Sequence, residues 1–189
     1  MNTTLTFREQ FAAVEKEITQ VLQGVDETQV TSMLEALQSA NKIVGVGAGR
    51  VGMALRGFIM RLGHLGLHAW MIGDTTVPSI GAGDCLLVAS GSGETKTIVE
   101  LTKIAKKNGA KIVAVTGNPQ SSIGQMADVI VQIIAPSKTK AVDNFQSRQP
   151  MTTLNEQCLQ LFFDTSTLLL MNTMGETHDT MWDRHSNLE

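Results

Sequence analysis

At 189 residues, 42% apolar and 17% charged, the chain is long enough to bury one full hydrophobic core and too apolar to stay unfolded. Its formal charge of −3 leaves no electrostatic footprint for nucleic acid or an anionic membrane, so neither is expected as a partner. Cys85 and Cys158 form no CxxC pair and no metal-ligand spacing, and are read as buried free thiols of a reducing compartment.

The opening stretch, MNTTLTFREQFAAVEKE, carries early acids and no apolar run, against a secretory signal; a cytoplasmic protein is expected. Phe7, Phe11, Val14, Ile18, Val21 and Leu22 recur at helical spacing, and Val30, Met33, Leu34 and Leu37 do so again after Asp26. Two helices over about 5–40 follow. The rhythm then changes. Short apolar runs at Ile43–Val46, Ala69–Ile72, Cys85–Ala89, Ile112–Val115 and Val129–Ile134 read as five buried strands, separated by helices starting near Arg50, Glu94 and Ser121. Such alternation over about 42–134 predicts a parallel sheet covered on both faces, a three-layer α/β/α architecture, with the functional loops at its carboxyl edge.

From Ala135 to Pro150 the composition turns polar, with Lys138, Lys140 and Arg148, and reads as a surface loop or flap over a site. A long helix follows from Thr152 to about Met174. Its middle is apolar nearly all round, which predicts a subunit interface, although Asp164 and hydroxyl residues make Leu159–Met171 unfit to span a bilayer. A short last helix, ending in Arg184-His185-Ser186-Asn187-Leu188-Glu189, completes the C-terminal helices of about 151–185, and the whole of 1–189 reads as one domain.

Two glycine-rich turns carry the chemistry. Gly47, Gly49 and Gly52 spell GxGxxG between a strand and a helix, the spacing of a dinucleotide turn, and Asp74 closes the next strand where a ribose-binding acid would sit. Three features oppose an oxidoreductase: little room for a substrate domain, no tyrosine for a Tyr/Lys pair, and a second phosphate-type turn downstream. That turn is Ser90-Gly91-Ser92-Gly93-Glu94-Thr95-Lys96. Its glycines let the backbone approach an anion, its hydroxyls donate, and the helix start adds free N–H groups, which suits a dianionic monoester phosphate.

SGSGET after a buried strand resembles the phosphosugar loop of the sugar isomerase (SIS) domain family. GAGR-x-G-M-A, M-R-L-x-H-L-G, SGSGETK, NP-x-S, QPM-x-T-L-x-EQ and the terminal RH-x-NLE resemble, in order from Lys42 to Glu189, its 6-phospho-3-hexuloisomerase branch. The resemblance implies a five-stranded flavodoxin-like sheet, a homotetramer, and cofactor-free, metal-free conversion of 3-hexulose 6-phosphate to fructose 6-phosphate. Its functional partner would be the synthase that fixes formaldehyde onto ribulose 5-phosphate, as in the ribulose monophosphate pathway. A 3-ketohexose phosphorylated on its terminal oxygen cannot close an ordinary furanose there, so ring opening matters little.

Moving a carbonyl between adjacent carbons needs a base and groups that hold enediolate charge. The resemblance puts the proton acceptor at Glu156, expected to be partly desolvated at the start of the long helix. His64 is a second catalytic candidate, polarising the carbonyl or shuttling a hydroxyl proton, in its own or a neighbouring subunit's site; a helix-terminal backbone contact is the alternative. Its i,i+4 spacing to His68 is broken by Gly66, so no metal pair is expected. Arg50, Ser90, Gly91, Ser92, Gly93, Glu94, Thr95 and Lys96 are the candidate phosphate ligands, and His185 belongs to either site or interface. Val51, Asp74, Thr152 and Asn155 depart from the branch's serine, glutamate, glycine and bulky aromatic. A non-catalytic sugar-phosphate sensor and a nucleotide-dependent oxidoreductase remain the alternatives.

Overall fold

A computed structural model describes residues 6–136 and 145–188. The chain opens with α1 (Phe7–Leu22) and α2 (Glu27–Gln38), each started by a side chain that accepts first-turn N–H groups: Thr6 in a capping box with Glu9, and Asp26 from Thr28 and Gln29. Alternation then runs β1 (Ile43–Gly47), α3 (Gly49–His64), β2 (Ala69–Met71), β3 (Cys85–Ala89), α4 (Lys96–Lys107), β4 (Lys111–Thr116), α5 (Ser122–Met126) and β5 (Val129–Gln132). The chain closes with α6 (Thr153–Met174) and α7 (His178–Trp182).

All five strands are parallel, in the order β2-β1-β3-β4-β5. Side chains alternate across this sheet, so each face builds its own core. Ile43, Leu87, Val113 and Val131 pack with α2, α3 and α6 on one side; Val44, Leu86, Val88, Ile112 and Ala114 pack with α4 and α5 on the other. Phe58 of α3 stacks on Phe163 of α6 at 4.8 Å, both fully buried, and locks these helices together. Gly52 permits α3 to start tight against β1, since a Cβ there would lie 2.6 Å from the Gly47 carbonyl oxygen.

The strand order reverses between β1 and β3, whose outgoing loops carry the two glycine turns. They part to opposite sides of the sheet and leave a crevice at its carboxyl edge. Both cysteines are free and buried, and burial pushes each thiol up to about 12. Among the described residues no helix is long and apolar enough to cross a membrane.

Some boundaries differ from the sequence expectation. Helix α4 starts at Lys96, just past Glu94, because Thr95 is still extended (φ −65°, ψ 111°). Helix α7 stops at Trp182, so Arg184–Leu188 lie beyond it. Of the polar 135–150 segment, residues 137–144, with Lys138 and Lys140, lie outside the described residues, as does Glu189. The far end of the segment is tied to α1: Glu17 accepts from Arg148 N, Ser147 Oγ and Gln149 Nε2 at 2.8–3.1 Å. As the apolar middle of α6 predicted, one chain does not cover this helix: Leu161, Leu168 and Leu169 are 44%, 61% and 37% exposed.

Candidate active site

The crevice holds a cleft of about 290 Å3, walled by 48–51 from the first turn, 89–92 and Thr95 from the second, and Thr152, Asn155 and Glu156 from α6. The second turn is wound on itself. Gly93 N–H donates to the Ser90 carbonyl and to Ser90 Oγ, both at 3.1 Å, and Ser90 Oγ lies 3.4 Å from Thr95 Oγ1. Gly93 takes φ +66° against Ser121, whose Oγ leaves no room for a Cβ; that conformation and crowding require glycine. Among the described residues nothing accepts from the N–H groups of Gly91, Ser92 and Thr95.

Helix starts make the same point. Helices α1, α2, α5 and α7 are each capped by a side chain, from Thr6, Asp26, Ser121 and Thr177. Helices α3, α4 and α6 start on Ala48, Thr95 and Thr152 with no side-chain cap, and these three starts border the cleft. Unmet N–H groups and the positive ends of three helix dipoles therefore converge on one space, a fit for a phosphate and for an enediolate oxygen.

Glu156 stands across from the second glycine turn in the first turns of α6. Its side chain is 14% exposed; Oε2 lies 2.9 Å from Arg50 Nη1, and Oε1 accepts from Thr152 Oγ1 at 2.8 Å. Arg50, half exposed, thus binds Glu156 across the cleft and reaches Thr153 Oγ1 at 3.4 Å. Met151, just before this helix start, is the one non-glycine residue of positive φ (56°) among the described residues, the kind of strain that collects at functional sites.

The other predicted residues divide. Arg50, Ser90, Gly91, Ser92 and Thr95 line the cleft; Gly93 shapes the turn behind it. Glu94 does not face the cleft: its oxygens accept from Ser122 N at 2.7 Å and Ser122 Oγ at 2.8 Å, bonds that hold its carboxyl below the usual range. It braces the turn against α5, as suits a carboxylate that a phosphate would repel. Lys96 is exposed outside the cleft wall. Asp74 is engaged by Arg56 at 2.6 Å.

His64 is buried at the far end of α3, in a separate cavity of about 400 Å3 between α3, α6 and α7. Its Nδ1 is 3.1 Å from Arg61 Nη1, its ring 5.2 Å from that of His185, and its carbonyl accepts from Arg184 at 2.9 Å. Within one chain it does not join Glu156. A third cavity, about 500 Å3 at the opposite sheet edge, is lined by Asp84 and Asp128, which pair with Lys42 and Lys106 and accept backbone N–H groups.

Sequence reasoning passed over two wall residues, Thr152 and Asn155, except as departures from a pattern. Their offsets from Glu156, four and one, were the available signal: at a helix start those positions can share a site with it.

Residues 36–161 match the SIS domain family. The chain is 40% identical over 176 residues to a 3-hexulose-6-phosphate isomerase of Mycobacterium gastri, covering 93% of this chain and 88% of that one. A Bacillus subtilis protein of the same name is 36% identical over 165 residues, 87% of this chain and 89% of that one. In structure the chain resembles, at a TM-score of 0.83 and 28% identity, a Methanococcus jannaschii protein whose structure was taken to infer the same activity, covering 96% of this chain and 99% of that one.

Proposed function

The chain belongs to the SIS domain family, and from that premise we propose that it is a sugar-phosphate isomerase converting 3-hexulose 6-phosphate to fructose 6-phosphate. One observation carries the reading beyond the family: a carboxylate on a cleft where three uncapped helix starts converge. The relatives named 3-hexulose-6-phosphate isomerase support the substrate.

The terminal phosphate occupies the second turn, taking the N–H groups of 91, 92 and 95 and the hydroxyls of Ser90, Ser92 and Thr95. The sugar then extends across the cleft towards α6. Glu156 takes the proton from C2 to form the C2–C3 enediolate, the hydroxyl proton of O2 passes to O3, and the same carboxyl returns its proton to C3, leaving the carbonyl on C2. Arg50 and Thr152 orient the carboxylate, and the Arg50 charge faces the enediolate as it develops. His64 serves only if a second subunit brings it to this cleft; the bare apolar side of α6 supports such an assembly, a homotetramer by our reading, with the formaldehyde-fixing synthase as supplier of substrate.

The test is a coupled assay with formaldehyde, ribulose 5-phosphate and that synthase, scored for fructose 6-phosphate. Product that requires the protein, and vanishes with Glu156→Gln, is the expected result. No product, with other ketose or aldose phosphates converted, would leave the family and remove the substrate.

A further inference from the structure

Asn155 is 3% exposed and lines the cleft, yet among the described residues nothing hydrogen-bonds its carboxamide. The group lies against the phosphate turn: a Cβ built on Gly91 would be 2.7 Å from Nδ2 and 3.3 Å from Oδ1. A carboxamide carries two donors and one acceptor, and here they open on the cleft without a partner among the described residues. In the branch that the sequence resembles, this position holds a bulky aromatic, which offers a ligand neither donor nor acceptor.

Place along the cleft identifies what the amide meets. Gly91 belongs to the turn that takes the phosphate, and Glu156, the next residue on α6, faces the carbons that exchange the proton. Asn155 stands between them. We propose that its carboxamide binds a hydroxyl on C4 or C5 of the sugar phosphate, the carbons between the phosphorylated end and the C2–C3 pair, and thereby sets which ketose phosphates this chain accepts. The inference rests on the isomerase reading for the identity of the sugar. It makes Asn155 a specificity residue in direct contact with substrate, separate from the proton transfer.

The experiment compares wild type with Asn155→Leu, a near-isosteric change that removes every donor and acceptor. Binding of fructose 6-phosphate, its 4-deoxy and 5-deoxy analogues, and inorganic phosphate is measured by calorimetry, alongside kcat and KM for isomerisation. Wild type should bind fructose 6-phosphate about 10- to 100-fold more tightly than one of the deoxy analogues, the worth of one hydrogen bond to a buried amide. Asn155→Leu should bind that pair alike, raise KM with little change in kcat, and hold inorganic phosphate as wild type does. Retained discrimination in the variant, or none in wild type, overturns the proposal. Asn155→Ala is read the same way if the leucine variant fails to fold, and failure of both makes the amide structural and also overturns it. Wild type that binds the sugars with this discrimination but does not isomerise them refutes the activity and leaves the contact standing.

Discussion

Among the described residues four helices have a side-chain cap on their first turns, and the three that border the cleft have none. Asp26 and Ser121 cap α2 and α5 in the usual way, and the benefit is stability. Ala48, Thr95 and Thr152 make no such bond, so α3, α4 and α6 forgo it. Thr95 is the sharper case, since threonine is a competent cap and here turns its hydroxyl to Ser90 and the cleft instead. Local stability has been given up where a ligand can supply the missing partner, so side-chain changes at the two kinds of helix start should part cleanly into activity and stability.

The largest effect belongs to Glu156, on the open side. Glu156→Gln keeps the shape and the Thr152 contact but cannot accept a proton, and kcat should fall about 10^2- to 10^4-fold. Inorganic phosphate should raise the Tm of this variant and of wild type alike, because the proposed phosphate ligands are on the other wall. A variant retaining more than a tenth of wild-type kcat would remove Glu156 as the base.

Next comes the phosphate wall. At 100 times its Kd a ligand bound only by the folded form stabilises by about 2.7 kcal/mol. Thr95→Val should reduce the stabilisation by phosphate by about 1–2 kcal/mol and raise KM about tenfold, while the unliganded protein unfolds within about 0.5 kcal/mol of wild type. Ser121→Ala, on the closed side, should do the reverse. Losing the bond to Gly124 N costs about 1 kcal/mol of stability, with KM changed less than twofold. If Thr95→Val instead destabilises the unliganded protein as much as Ser121→Ala, the contrast between the two kinds of helix start fails.

Sequence pattern carried the architecture well, because strand and helix periods are local and each β–α step repeats the same signal. All five strands stand where apolar runs predicted them, and the resemblance implied a flavodoxin-like sheet. Boundaries moved by a residue or two where a turn extended past its motif, as at Thr95. The site was legible in its parts and not in its assembly. SGSGETK marks a turn, but not that Glu94 folds back to Ser122 while Thr95 faces inward; that division comes from α5 packing beside the turn. Likewise a helix-terminal histidine in sequence gives no sign that His64 and Glu156 lie in separate cavities, since one sits at the amino end of α6 and the other packs against its later turns.

The smallest effect concerns that second cavity, at the opposite end of α3 from the open helix start. Burial, the Arg61 guanidinium and His185 together hold His64 below its ordinary value of 6.5. The folded chain therefore binds a proton on His64 less readily than the unfolded chain does. Above 6.5 both forms are neutral there and the contribution to stability is complete; as pH falls, the unfolded form is protonated first, and the contribution is lost through the lower, folded value. His64→Gln should remove this component. Its Tm should decline less than that of wild type between pH 7 and pH 5, while the two run parallel above pH 7. Equal declines would mean that other groups govern acid unfolding and that the neutral His64 ring is not what seats the C-terminal segment against α3.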